Sequence, residues 1–168
     1  MEHQIVVECF ADTLLTTLLR RQVPQHASGL GEVLNQLEMQ YIRQKRKRAV
    51  GIIDNDSRKD SKLFLKYSKV VQSDAYIEIR KHEERDYYLI IIKKAHEDFV
   101  IRCAKEVEMD SSRFENFMTL ESLKKLTKNK SIAENNKYKD FLNTILQRKA
   151  KAFLTIQIFL RQQFGNNI

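Results

Sequence analysis

The sequence predicts an α/β fold, with a basic, all-helical C-terminal segment following the α/β part. Three observations carry that expectation. Two short apolar runs, residues 4–9 and 49–53, have the composition of buried strands and are separated by helical patterns. Two further strand patterns, at 75–81 and 86–92, are joined by the polar stretch His82-Glu83-Glu84-Arg85, which fits a hairpin loop. From Ala95 onward the apolar residues recur at helical spacing.

Taken in order, Ile5-Val6-Val7 is the apolar centre of the first strand, and Asp12 can cap the helix that comes next at 13–21. Leu14, Leu15, Leu18 and Leu19 share one face of that helix, and Arg20 and Arg21 suit its last turn. Pro24 and Ala27-Ser28-Gly29 make a connection to a second helix at about 30–46, where Leu30, Val33, Leu34, Leu37 and Tyr41 are helically spaced. The second strand, Ala49-Val50-Gly51-Ile52-Ile53, stops abruptly at Asp54-Asn55-Asp56-Ser57. A short helix is predicted at 58–67, then the two hairpin strands, then helices at 96–107, 119–127 and about 138–163. The predicted order is β-α-α-β-α-β-β-α-α-α, divided into an α/β part at 1–118 and a basic helical extension at 119–168 packed on it.

The 168 residues carry 30 Lys+Arg against 22 Asp+Glu, a net charge of +8. Residues 121–168 hold +7 of it, so nearly the whole excess sits in the last quarter of the chain. Such a segment favours meeting a polyanion, because Lys and Arg displace condensed counterions; a solvated lysine-rich helix face is the structural alternative. Four glycines and one proline argue against a turn-rich β-sandwich or a long flexible linker. Two cysteines, Cys9 and Cys103, cannot build a disulfide framework or a four-ligand zinc site by themselves. No apolar stretch approaches the roughly 20 residues that cross a bilayer. Residues 1–10 lack a basic region and a cleavage site of the secretory kind. The expectation is a reduced, cytoplasmic protein without a membrane anchor.

Acidic residues close both of the first two strands. Glu8 is followed four residues later by Asp12, and Asp54 stands with Asp56. If both strands lie in one parallel sheet, these side chains meet at its carboxyl edge, where open α/β sheets bind ligands. Converging carboxylates repel unless a divalent cation neutralises them, and hard oxygen donors select Mg²⁺ or Mn²⁺. Asp54 and Asp56 could instead cap the helix near Ser57, and Asp12 suits a cap as well as a ligand.

The segment Val7-Glu8-Cys9-Phe10-Ala11-Asp12, with Leu14-Leu15 and Leu18-Leu19, resembles the opening of the Toprim family. There a strand ending in Glu-Gly precedes an Asp and a leucine-rich helix. Ile52-Ile53-Asp54-Asn55-Asp56 resembles the family's second motif, a hydrophobic strand ending in Asp-x-Asp. The family includes the catalytic domains of topoisomerases and primases, overcoming-lysogenization-defect-type nucleases, and small Toprim-like proteins of about this length. In the last group a Glu-Asp pair often opens a later helix, where this sequence has Glu97 and Asp98. The resemblance covers roughly residues 4–100 and implies a mainly parallel central sheet flanked by helices. It departs at Cys9, where the family has glycine.

What the resemblance implies is Mg²⁺-dependent phosphodiester chemistry on nucleic acid, most simply that of a nuclease. Glu8 would be the general acid/base, and Asp54 and Asp56 would hold the metal with Asp12, Glu97 and Asp98 around them. Arg43, Lys45, Arg46, Lys47 and Arg48, with Lys124, Lys125, Lys149 and Lys151 of the tail, would track the nucleic-acid backbone. The side chain of Cys9 and the small size also fit a non-catalytic Toprim-like module that binds nucleic acid or a protein partner.

Overall fold

The computed structural model describes residues 5–55 and 61–165. Asp56, and the first part of the helix expected at 58–67, lie outside the described residues. Among the described residues, six strands form one mixed, mostly parallel sheet flanked by helices: β1 (Ile5–Val7), β2 (Gln25–His26), β3 (Arg48–Asp54), β4 (Lys69–Ser73), β5 (Ile77–Lys81) and β6 (Asp86–Ile92). Their spatial order is β2-β1-β3-β6-β5-β4. The first four in that order are mutually parallel; β5 runs antiparallel to β6, and β4 antiparallel to β5.

The period of two along each strand sorts the core into two layers. Ile5, Val7, Val50, Ile52, Ile90 and Ile92 face one side, with helices α1 (Phe10–Arg20), α4 (His96–Glu106), α6 (Asn136–Gln147) and α7 (Lys151–Phe164). Val6, Ala49, Ile53, Leu89 and Ile91 face the other, under α2 (Leu30–Ile42) and the short α3 (Lys62–Leu65). Gly51 lets α2 lie close on β3: a Cβ there would stand 2.7 Å from Leu89 Cδ2 and 3.0 Å from Leu37 Cδ1 and Val33 Cγ1. Among the described residues, no helix is long and apolar enough to cross a membrane.

The C-terminal helices share the core of the sheet. Phe141, Leu142 and Ile145 of α6 and Phe153, Ile156 and Leu160 of α7 are almost fully buried in the same cluster as β1, β3 and β6. At about 2 kcal/mol per buried side chain, these six contribute a gross stabilisation on the order of 10 kcal/mol, as large as the net stability of a typical domain.

Several elements differ from the sequence expectation. Helix α1 starts earlier, because Cys9 is its N-cap: the backbone is extended there (φ −137°, ψ 167°) and Sγ accepts from the Asp12 N–H. Asp12 therefore falls in the first turn and is buried, not a cap. Among the described residues of the helix expected at 58–67, Lys62–Leu65 are helical, capped by Ser61. Strands β2 and β4 have no counterpart in the sequence pattern; the first is two polar residues long, and the second is an exposed edge. The single helix expected at 138–163 is two helices, broken at Arg148-Lys149-Ala150 with Lys149 at φ 62°. The Arg148 guanidinium holds that bend by donating to the carbonyls of Val107 and Glu108 beyond α4. Between α4 and α6, a short helix α5 (Leu120–Thr127), flanked by two 3-10 turns, packs beside α4.

Candidate functional site

Helix α1, which follows β1, packs on one face of the sheet, and α3, the first described element after β3, packs on the other. A crevice opens at the carboxyl ends of two neighbouring parallel strands where the connections diverge in this way. Glu8 and Asp54 stand at that crevice. The Glu8 N–H donates to the Ile52 carbonyl (3.1 Å), and its Oε2 accepts from the Asp54 N–H (2.9 Å). Gly29, at φ 93°, caps α2 beside Glu8, in a conformation that side chains rarely adopt.

Asp54 Oδ2 accepts from the His96 N–H at the start of α4 (3.2 Å). Its Oδ1 is buried with no hydrogen-bond partner among the described residues. Burial, the nearby charge of Asp12 and, less strongly, that of Glu8 push the Asp54 carboxyl up to about 8, against an opposing pull from His96 and its N–H. A carboxyl so placed holds a proton at neutral pH unless a cation replaces it.

Behind these two carboxylates runs a buried chain of polar groups. Asp12 Oδ2 accepts from the Cys9 thiol (3.0 Å), and Asp12 Oδ1 lies 2.7 Å from His96 Nδ1. His96 Nε2 lies 2.8 Å from the hydroxyl of Tyr138 on α6. Burial alone would lower the His96 pKa, but the hydrogen bond and charge of Asp12, with Asp54 behind it, outweigh burial and hold it above its usual value. Nδ1–H therefore donates to Asp12, and the Tyr138 hydroxyl accepts from the charged ring or donates to the neutral one. Burial pushes the Tyr138 phenol and the Cys9 thiol well up, so both stay protonated, and Cys9 is not a thiolate nucleophile. The donor atoms of Cys9, Asp12 and His96 lie within 4.8 Å of one another, but here the thiol and ring protons satisfy Asp12.

Glu8, Cys9, Asp54 and His96 line a cleft of about 350 Å³. Phe10 and His26 stack at its wall, with ring centroids 4.1 Å apart and planes 10° from parallel. Glu97 reaches the cleft and accepts from the Thr127 hydroxyl at the end of α5. The exposed Lys128 stands at the rim as its one lining lysine or arginine among the described residues. Asp98 does not line the cleft; it is ion-paired with Lys94 and Arg102 along α4.

The basic residues singled out in the sequence divide between different places. Lys124 and Lys125 are exposed on α5, the helix that leads to Lys128 at the rim, and Lys125 pairs with Glu121. Arg43, Lys45, Arg46 and Lys47 precede β3 and Arg48 opens it, so they sit at the amino edge of the sheet, roughly 20 Å from Asp54 at 3.3 Å per residue. Arg46 is buried there, its carbonyl accepting from the Tyr87 hydroxyl. Lys149 and Lys151 lie at the far end of α4, where the Lys151 N–H donates to Glu106.

Sequence reasoning missed Tyr138 and Lys128 altogether and gave His96 no partner. A tyrosine among phenylalanines on an apolar helix face was the available signal for the first, since a buried hydroxyl needs a partner. No family model, curated protein or solved structure matches the chain. Fold and site alone define the class: an α/β protein with a carboxylate-lined cleft at the switch point of a mostly parallel sheet, backed by a buried Asp–His–Tyr chain.

Proposed function

We propose that the cleft binds a divalent cation, Mg²⁺ or Mn²⁺, through Asp54, with Glu8 beside it as the general acid/base, and acts on phosphodiesters of nucleic acid as a Toprim-like nuclease. The observation that carries this reading is the buried Oδ1 of Asp54, without a hydrogen-bond partner among the described residues, beside a second carboxylate at the switch point. Hard oxygen donors with a raised carboxyl pKa fit such a cation, and the resemblance supplies Asp56 as a further ligand. When bound, the cation would neutralise phosphate charge and lower the pKa of an attacking water. The chain's own groups do the rest. The His96 N–H holds Asp54 in orientation, Lys128 meets a phosphate at the rim, and Glu8 takes or returns the proton of the reacting oxygen. The Asp12–His96–Tyr138 chain fixes the first turns of α1 and α4 behind them.

The test is melting with and without Mg²⁺ and Mn²⁺, then cleavage of single- and double-stranded DNA and RNA. Metal should raise the melting temperature of the wild type by mass action, and Asp54→Asn should abolish the rise. Glu8→Gln should silence cleavage while keeping nucleic-acid binding. Full metal-dependent cleavage by Glu8→Gln would overturn the mechanism, and an unchanged metal response in Asp54→Asn would overturn the ligand assignment. The basic run before β3, standing at the opposite edge, favours a second reading, a non-catalytic nucleic-acid-binding module. Metal binding without cleavage of any substrate would select it.

A further inference from the structure

Away from the cleft, three arginines converge where α1, α6 and α7 meet. Arg20 and Arg21 end α1, and Arg161 lies in the last turn of α7. They line a pocket of about 380 Å³ whose polar wall includes Asn143 and Gln147 of α6 and Gln157 of α7. No carboxylate lines it among the described residues, and none of the three arginines has an ion-pair partner among them.

Arg20 is 7% exposed. Its two terminal nitrogens donate to the carbonyls of Gly165 (2.7 Å) and Phe164 (3.3 Å), closing the end of α7, while its Nε is buried with no hydrogen-bond partner among the described residues. Burial and the neighbouring Arg161 charge depress its pKa. Buried charges in folded proteins are ordinarily paired, so positive charge gathered here, with no acid among the described residues, favours the arrival of an anion. Guanidinium forks with carboxamide donors match the tetrahedral oxygens of phosphate, which accept two hydrogen bonds from one arginine.

We propose that this pocket binds the phosphate group of a phosphate ester. The assignment stands independently of the cleft, since α1 carries the two apart: its first turn lies at the cleft and its last at this pocket, about 16 Å away at 1.5 Å per residue. The phosphate has two sources, a small phosphate ester or one link of a nucleic-acid backbone. The second would continue onto the basic run, because Arg48 donates to the Gln163 carbonyl, and Lys45, Lys47 and Arg48 line a further hollow against Gln163, Phe164 and Gly165.

The experiment compares wild type with Arg21→Gln/Arg161→Gln, both positions exposed. A second variant, Gln147→Glu, puts a negative charge on the exposed wall in a helix-compatible residue. Thermal melting in millimolar inorganic phosphate is read against chloride at matched ionic strength, and anisotropy tracks a fluorescein-labelled single-stranded oligonucleotide. Phosphate should stabilise the wild type saturably, and both variants should weaken that binding about tenfold or more. An oligonucleotide that loses affinity in parallel, and competes with phosphate, identifies the backbone as the source. Phosphate binding without oligonucleotide binding identifies a small ester. No stabilisation beyond chloride in the wild type, or equal phosphate binding in the wild type and both variants, overturns the proposal.

Discussion

Asp54→Asn should flatten the dependence of stability on pH. The Asp54 carboxyl is raised from its ordinary 3.8 to about 8, chiefly by burial and then by Asp12. Between those values the folded state keeps a proton that the unfolded state has lost. The stabilisation is therefore complete below pH 3.8 and is lost progressively as pH rises to about 8. At 1.36 kcal/mol per unit the ceiling is about 6 kcal/mol, and the residual solvent access of Asp54 halves it to about 3 kcal/mol. For a chain of this size that corresponds to a fall of about 6–12 °C in melting temperature. His96, whose pKa is also raised, contributes in the same direction: its stabilisation is complete below its ordinary 6.5 and lost as pH rises through its folded value. Melting in EDTA from about pH 5 to about pH 9 should show the wild type falling steeply and Asp54→Asn about half as steeply, with the variant the more stable at the alkaline end. Parallel curves would refute the reasoning, because they would mean that Asp54 ionises as an ordinary exposed carboxyl does.

Packing gives two more tests. Tyr138→Phe removes the group facing His96 Nε2 and leaves a buried ring nitrogen unsatisfied, so it should lower stability by about 1–3 kcal/mol, read by urea denaturation. An unchanged midpoint would mean that the ring nitrogen finds another partner. Gly51→Ala forces a methyl against Leu89, Leu37 and Val33 and should cost about 1–3 kcal/mol on the same assay, unless α2 can shift outward, in which case the loss will be smaller.

The α/β architecture was legible because Val6-Val7, Val50 to Ile53 and Leu89 to Ile92 are buried on both faces of the sheet and read as continuous apolar runs. Strand β4 was not legible, since Lys69–Ser73 buries none of its residues and leaves no pattern to find. The bend between α6 and α7 carries neither proline nor glycine; Lys149 adopts a left-handed conformation, and Arg148 is anchored to carbonyls about forty residues away. In the site, Glu8 and Asp54 were legible because an acid closing an apolar strand marks its carboxyl end. The burial of Asp12 was not, because a thiol took over its capping role. The edge occupied by Arg43 to Arg48 comes from strand direction alone: residues that lead into a strand and residues that close it lie at opposite ends of the sheet.

The Asp12–His96–Tyr138 chain also governs when the cleft can exist. Its links join residues 84 and 42 positions apart, and its last member belongs to a helix in the C-terminal third of the chain. During synthesis, β1, α1 and β3 emerge long before Tyr138, and until it arrives the His96 ring lacks its second partner and α6 does not cover the sheet. Pairings of such long sequence separation form late and slowly. A nascent chain thus exposes Glu8 and Asp54 without the support that fixes them, so the finished geometry of the site is acquired only after its own acidic residues have left the ribosome.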